Sequence, residues 1–337
     1  MKKLINQNTI YIFISLVILL LVFWLTNNNA KTYETSFSYM DTYINIKIKH
    51  SDATVANEAL KEAERIYKEY HELTDRYNAY EGINNVYYIN NTTQELYMIK
   101  LDAHLYDILA YGKSWYYKSN GIKNINLGNV IDVWKKYQLT KTGVPTNEEL
   151  TKAGSIDIEN IVLLEDNYIL NNHPNIDLGS IAKGYTTQIV GDYFKSKGIT
   201  SYIINAGGNV LVGKKSADTS YNIGIQDPDD SSKVFKVIIG NNIAVVTSGG
   251  YERYYEYEGV RYSHIINPMT LFPANLYKSV TVICDNSALG DSLSLILFVL
   301  PIEEGKVFIK DYPNVEAIWY TNDDQIVKSD GFNKYEQ

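Results

Sequence analysis

Residues 177–212 read DLGSIAKGYTTQIVGDYFKSKGITSYIINAGGNVLV. Residues 181–197 carry helical spacing and stop at Gly198, residues 201–205 read as a strand, and residues 210–212 return after the turn Ala206-Gly207-Gly208-Asn209. The head of the stretch, DLGSIAKGY, lies where a strand turns into a helix. Amides at a helix start lack intrahelical partners and the helix dipole is positive there, so phosphate oxygens are favoured at that end, with Lys183 one turn in as a point charge. The plainer reading is that Asp177 caps the helix and Lys183 faces solvent.

Working outward, strand-like runs recur at residues 221–225, 234–239, 243–246, 254–258 and 279–283. Helical spacing follows over 287–300 and 303–310, with a last strand at 315–320. Upstream, residues 42–50 (TYINIKIKH) alternate with period two after a short tether, and residues 52–73 repeat apolar positions at three and four, an amphipathic helix. Residues 77–91, rich in Tyr and Asn, read as a surface loop with a short strand. Residues 95–118 read as a helix ending at Asn120-Gly121, and 168–170 and 175–178 as short strands. Strands in this number with helices between them imply an α/β sandwich.

The 337 residues, 45% hydrophobic, suffice for a sizeable core. A net charge of −8 without a cluster of basic residues argues against nucleic acid as a partner. The single cysteine, Cys284, sits in an apolar run and reads as a small buried hydrophobe. At the N-terminus Lys2 and Lys3 precede the apolar run 10–25. Sixteen helical residues rise about 24 Å, just enough to span with their flanks, and the basic residues place the N-terminus in the cytoplasm. Residues 1–30 are therefore expected to be a membrane anchor, or an uncleaved signal. On this expectation the protein is single-pass in the cell membrane, with residues 31–337 a folded domain on the extracytoplasmic face.

DLGSIAKGY is followed in order by NAGGNVLVG (205–213), TSGGYERYY (247–255), YSHIINP (262–268) and GDSLSLILFVL (290–300). In that order and spacing the chain resembles the ApbE-like family of FAD:protein FMN transferases, from about residue 40 to 320. The resemblance implies a T-fold-like α/β sandwich of two interleaved subdomains with FAD in the groove between them. It implies attack of an acceptor protein's Ser or Thr hydroxyl on the FMN phosphorus, with AMP expelled and Mg2+ at the pyrophosphate. Carried over residue by residue, the Ser180 carbonyl and the Asp291 carboxylate would hold the metal, both being hard oxygen donors. Asp177, Lys183, Met40, Tyr77 and the turn Ile122-Lys123-Asn124 would contact FAD, with Ile265 packed beside the flavin and Tyr80 a further aromatic contact. His264, Lys183 and Asp291 would be catalytic, His264 because its ordinary pKa lies near neutrality. His50, His71, His104 and His173 read as surface residues.

Three departures stand out against the resemblance. Leu295 replaces the usual Thr one helical turn after Asp291, so the metal would lose a ligand unless Ser294 turned its hydroxyl inward. Gln188 replaces an Asp. Met269 and Leu271 replace a basic residue and a glycine, so the loop 268–273 is expected neither to turn at a glycine nor to carry a positive group. These departures keep two alternatives open, a catalytically weakened FAD-binding scaffold and an FAD pyrophosphatase yielding FMN and AMP.

Overall fold

A computed structural model describes residues 11–19, 30–215 and 218–336. Its strands are β1 (Lys31–Tyr39), β2 (Thr42–His50), β3 (Met98–Lys100), β4 (Ile161–Leu164), β5 (Tyr168–Asn171), β6 (Ser201–Ala206), β7 (Asn209–Val212), β8 (Tyr221–Gln226), β9 (Val234–Gly240), β10 (Ile243–Gly249), β11 (Tyr254–Tyr257), β12 (Val260–Ser263), β13 (Tyr277–Cys284), β14 (Glu316–Thr321) and β15 (Ile326–Lys328). The helices beyond residue 30 are α1 (Ala53–Thr74), α2 (Val86–Asn91), α3 (Ala103–Lys118), α4 (Gly128–Thr140), α5 (Asn147–Lys152), α6 (Ala182–Ser196), α7 (Ser287–Val299) and α8 (Ile302–Ile309).

An eight-stranded sheet runs β1-β2-β6-β7-β10-β13-β14-β15, every neighbour antiparallel. Its central strands are apolar on both faces. Ala244, Val246, Val280, Val282, Ala317 and Trp319 join the core beneath the helices, while Val245, Ile283 and Ile318 join a second cluster under the β8–β9 hairpin. Period two thus sends successive residues to two different cores. α1 covers one face with Ala56, Ala59, Leu60, Ala63, Ile66, Tyr67, Tyr70 and Leu73, a stripe at three and four, and starts where the Asp52 carboxylate accepts the Thr54 and Val55 amides.

Between α1 and α6 the chain builds a separate cluster, in which Leu105, Ile108 and Leu109 of α3 pack with Ile99, Ile161 and Ile169 of the small sheet β3-β5-β4. The mixed α/β sandwich is as expected, with this second unit inserted into the first.

Several local expectations are corrected. The tether before residue 42 is a strand, β1, paired to β2 through a turn in which Met40 and Asp41 both have φ 53°, the left-handed geometry of a tight hairpin. The run 95–118 is strand β3 and then α3, separated because the Asp102 carboxylate accepts the His104 amide at 2.8 Å. Residues 86–91 are helical rather than loop, and 175–178 form no strand. Of the expected membrane span, residues 11–19 are helical and exposed, and the rest lies outside the described residues. Among the described residues no helix is long and apolar enough to cross a membrane. Cys284 is 1% exposed, and burial pushes its thiol up to about 12.

Candidate active site

The start of α6 faces the first turns of α7 at very close range. A Cβ added to Gly184 would lie 2.3 Å from the Asp291 Cβ and 2.7 Å from the Ser287 carbonyl, so only glycine allows the approach. The Gly184 amide donates to Asp291 Oδ2 at 2.8 Å. The carboxylate thus satisfies a helix-start amide that was expected to meet phosphate.

Gln188, one turn further on, accepts the Ser287 amide at 2.8 Å and donates to Asp192 at 2.9 Å. This departure therefore caps α7 and locks it to α6.

Beside this junction opens a cleft of about 490 Å3, lined by all the residues carried over from the family motifs except Tyr80: Met40, Tyr77, Ile122, Lys123, Asn124, Asp177, Ser180, Lys183, His264, Ile265 and Asp291. Met40 arrives on the β1–β2 turn, and the β6–β7 turn lies alongside. There Gly207 has φ 57° and a Cβ on it would meet Thr42 Oγ1 at 1.9 Å. Tyr77 is 45% exposed, with the Lys135 Nζ 3.5 Å from its ring centroid. The Asn124 side-chain amide ties two loops together, donating to the Ile156 carbonyl at 2.9 Å and accepting the Asn126 amide at 2.8 Å.

His264 lines the cleft and is exposed to it, with enough protein nearby to disfavour the charged ring. Its Nδ1 lies 3.1 Å from the Arg253 carbonyl. A carbonyl only accepts, so Nδ1 carries the proton and Nε2 keeps its lone pair. Desolvation, reinforced by the charges of Lys183 and Arg253 and opposed by the Arg253 hydrogen bond and Asp177, holds the imidazole down to about 4. At neutral pH it is an acceptor. Lys183, in the first turn of α6, has no hydrogen bond or ion pair among the described residues and lines the same cleft.

The metal expectation fares differently. Lys123 is 1% exposed, and its Nζ donates to the Ser180 carbonyl at 2.5 Å and lies 3.4 Å from the main-chain carbonyl of Asp291. Burial pushes this ammonium down to about 8, Asp291 opposing the fall and Lys183 adding to it. Ser294 does not turn inward, since its hydroxyl pairs with Ser248 Oγ at 2.9 Å. Leu295 lines the cleft with carbon only. The Ser180 carbonyl is thus already engaged and the Asp291 carboxylate has one oxygen committed to Gly184, and with only carbon at Leu295 the donor set does not fit Mg2+, which demands near-octahedral oxygen ligands.

The sequence matches the ApbE family over residues 40–319. The chain belongs to the ApbE family. It is similar to the FAD:protein FMN transferase of Treponema pallidum, 29% identical over 253 residues, covering 69% of this chain and 70% of that protein. The transferase of the same description from Klebsiella pneumoniae is 26% identical over 309 residues, covering 90% and 93%. Among solved structures, the ApbE protein of Thermotoga maritima superposes with TM-score 0.79 at 25% identity, over 91% of this chain and 100% of that one. Flavin transferase ApbE from Vibrio cholerae gives TM-score 0.76 at 25% identity, over 91% and 99%.

Within this ApbE-family cleft several residues were not singled out from sequence. Arg76, its side chain 7% exposed, pairs with Asp177 at 3.3 Å and Asp132 at 2.9 Å and donates to Asn175 at 2.7 Å. Asp177 also accepts the Gly179 amide at 2.8 Å.

Glu252 and Arg253 sit inside the TSGGYERYY motif. Burial pushes the Glu252 carboxyl up, against Lys183 and Arg253. An aromatic wall was missed as well, in which Tyr262 stacks on Trp134 at 5.7 Å and on Tyr255 at 5.2 Å. The pairing of β11 with β12 sets two of these rings side by side.

Two further expectations are corrected. Tyr80 is not among the lining residues, its hydroxyl donating to Asp75 at 3.0 Å. His71 is half-buried in the cleft wall rather than on the open surface, with Nδ1 3.4 Å from the Met40 amide. The loop 268–273 has neither a glycine nor a positive group, as expected, and Leu271 itself takes the left-handed turn at φ 62°, its carbonyl accepting Trp134 Nε1 at 2.8 Å.

Proposed function

We propose that the protein transfers FMN from FAD to a Ser or Thr hydroxyl of an acceptor protein, releasing AMP. The observation that carries this reading is the neutral His264 imidazole in one cleft with the Lys183 ammonium, neither His264 Nε2 nor Lys183 having a partner among the described residues. The hydroxyl oxygen attacks the FMN phosphorus, the P–O bond to the AMP phosphate breaks, and the hydroxyl proton passes to His264 Nε2. Lys183 meets the charge that builds on the phosphoryl oxygens. Asp177, fixed by Arg76, is a further polar contact for FAD, and Ile265 and the aromatic wall offer apolar surface to the isoalloxazine. The names of the relatives support the activity. Because Ser180 and Asp291 are engaged within the protein, no step is assigned to Mg2+.

The acceptor is placed on the extracytoplasmic face of the cell membrane, with the protein anchored by its N-terminal segment. Lys2 and Lys3 ahead of the apolar run 10–25 support this placement.

The deciding experiment incubates the full-length protein with FAD and an acceptor peptide bearing the Ser/Thr motif and follows peptide mass. A covalent FMN adduct that is lost in His264→Gln is the expected result. FAD bound but unchanged would favour the scaffold reading, to which the carbon face of Leu295 points. FMN and AMP formed without an adduct would favour the pyrophosphatase.

A further inference from the structure

The family resemblance asks for a divalent ion between the Ser180 carbonyl and Asp291, and in this chain protein atoms stand there. The Lys123 Nζ donates to Ser180 O at 2.5 Å and lies 3.4 Å from Asp291 O. An ion bonded to that same carbonyl would stand against an ammonium with no solvent between them, and two cations at that range repel strongly in a buried site. The rest of the pocket agrees. Leu295 presents carbon, the Ser294 hydroxyl is held by Ser248, and one Asp291 oxygen is committed to the Gly184 amide.

We infer that Lys123 is the resident cation of this site: its ammonium, seated on the Ser180 and Asp291 carbonyls at the cleft wall, takes the place of the divalent ion. With Lys183 it supplies the positive charge that a bound diphosphate meets. An ammonium has three donors. Two of them point to these carbonyls, and the third is available to a phosphate oxygen in the cleft that Lys123 lines. The methyl groups of Leu295 suit this arrangement, since a hydroxyl there would have no ion to ligate. The inference rests on reading the cleft as a flavin diphosphate site, but its test reads cation binding and not transfer.

Mn2+, a paramagnetic ion that occupies Mg2+ sites, is titrated into the full-length protein with and without FAD, and free Mn2+ is followed by electron paramagnetic resonance. FAD binding is followed separately by quenching of protein fluorescence, in EDTA and in Mg2+. The wild-type cleft is expected to take up no Mn2+, and the FAD dissociation constant should change less than about twofold between EDTA and Mg2+. The double variant Lys123→Met, Leu295→Thr is expected to gain one Mn2+ per chain. One Mn2+ per wild-type chain, abolished by Asp291→Asn, would overturn the inference, as would FAD binding that EDTA removes and Mg2+ restores. Mn2+ uptake unaffected by Asp291→Asn lies elsewhere and leaves the inference standing. If the double variant does not fold, the wild-type titration alone decides. Absence of any FAD binding would sink the flavin reading itself, while the Mn2+ titration would still report whether the cleft holds an ion.

Discussion

Gly184 and Asp291 meet at the junction of α6 and α7, the amide of one donating to the carboxylate of the other at 2.8 Å. Two helices that come from distant parts of the chain are joined there with no side chain on the Gly184 side, and the cleft opens beside the joint. Gly184→Ala would drive a methyl group against Asp291 and the Ser287 carbonyl. We expect a loss of about 1–3 kcal/mol in urea denaturation, the range for overpacking, together with weaker FAD binding by fluorescence.

His264→Gln keeps a side-chain amide in the cleft but removes the base. The transfer rate should fall about 10²–10⁴-fold, the usual worth of a positioned general base, while FAD affinity stays within a few-fold. A parallel loss of FAD affinity would mean that His264 binds rather than catalyses.

The pH profile follows from the same residue. With His264 held down to about 4, acidification protonates Nε2 only near that value, so the rate should stay level from neutrality down to about pH 5 and then fall. An ordinary histidine would give half-loss near about 6.5. Initial rates across that range separate the two.

Arg76 is the buried cation that holds Asp177. Arg76→Met leaves that carboxylate without its partner, and a loss of about 3 kcal/mol is expected in chemical denaturation. Arg76→Lys should recover only part of it, because a single ammonium cannot reach Asp177, Asp132 and Asn175 as the guanidinium fork does.

Tyr67 of α1 shares a hydrogen bond of 2.7 Å with Thr187 of α6 in the core. Tyr67→Phe strands the Thr187 hydroxyl, at a cost of about 1 kcal/mol. A change below about 0.3 kcal/mol would mean that Thr187 finds another acceptor.

What could be read from the sequence was what local chemistry decides. Period-two alternation at residues 42–50 gave β2, and the three-and-four stripe after Asp52 gave α1. The ordered motifs gathered the residues of one cleft before any of them could be placed. What was not legible depends on distance along the chain. Arg76 meets Asp177 across 101 residues and Lys123 meets Ser180 across 57, and neither a charge nor its neighbours announces such a partner. The capping of α7 by Gln188 was hidden in the same way. Asp102, in contrast, was a readable helix start inside the run 95–118, but the apolar spacing on both sides concealed it.

The cleft draws Met40 from the first hairpin and Asp291 from α7, so a growing chain has all but its last helices and strands in hand before the wall is complete. Contacts of such sequence separation form slowly and late. A flavin therefore has nothing to grip on a partial chain; it meets a finished fold and stabilises it by mass action. The nucleotide must therefore be supplied where folding ends, not where synthesis begins.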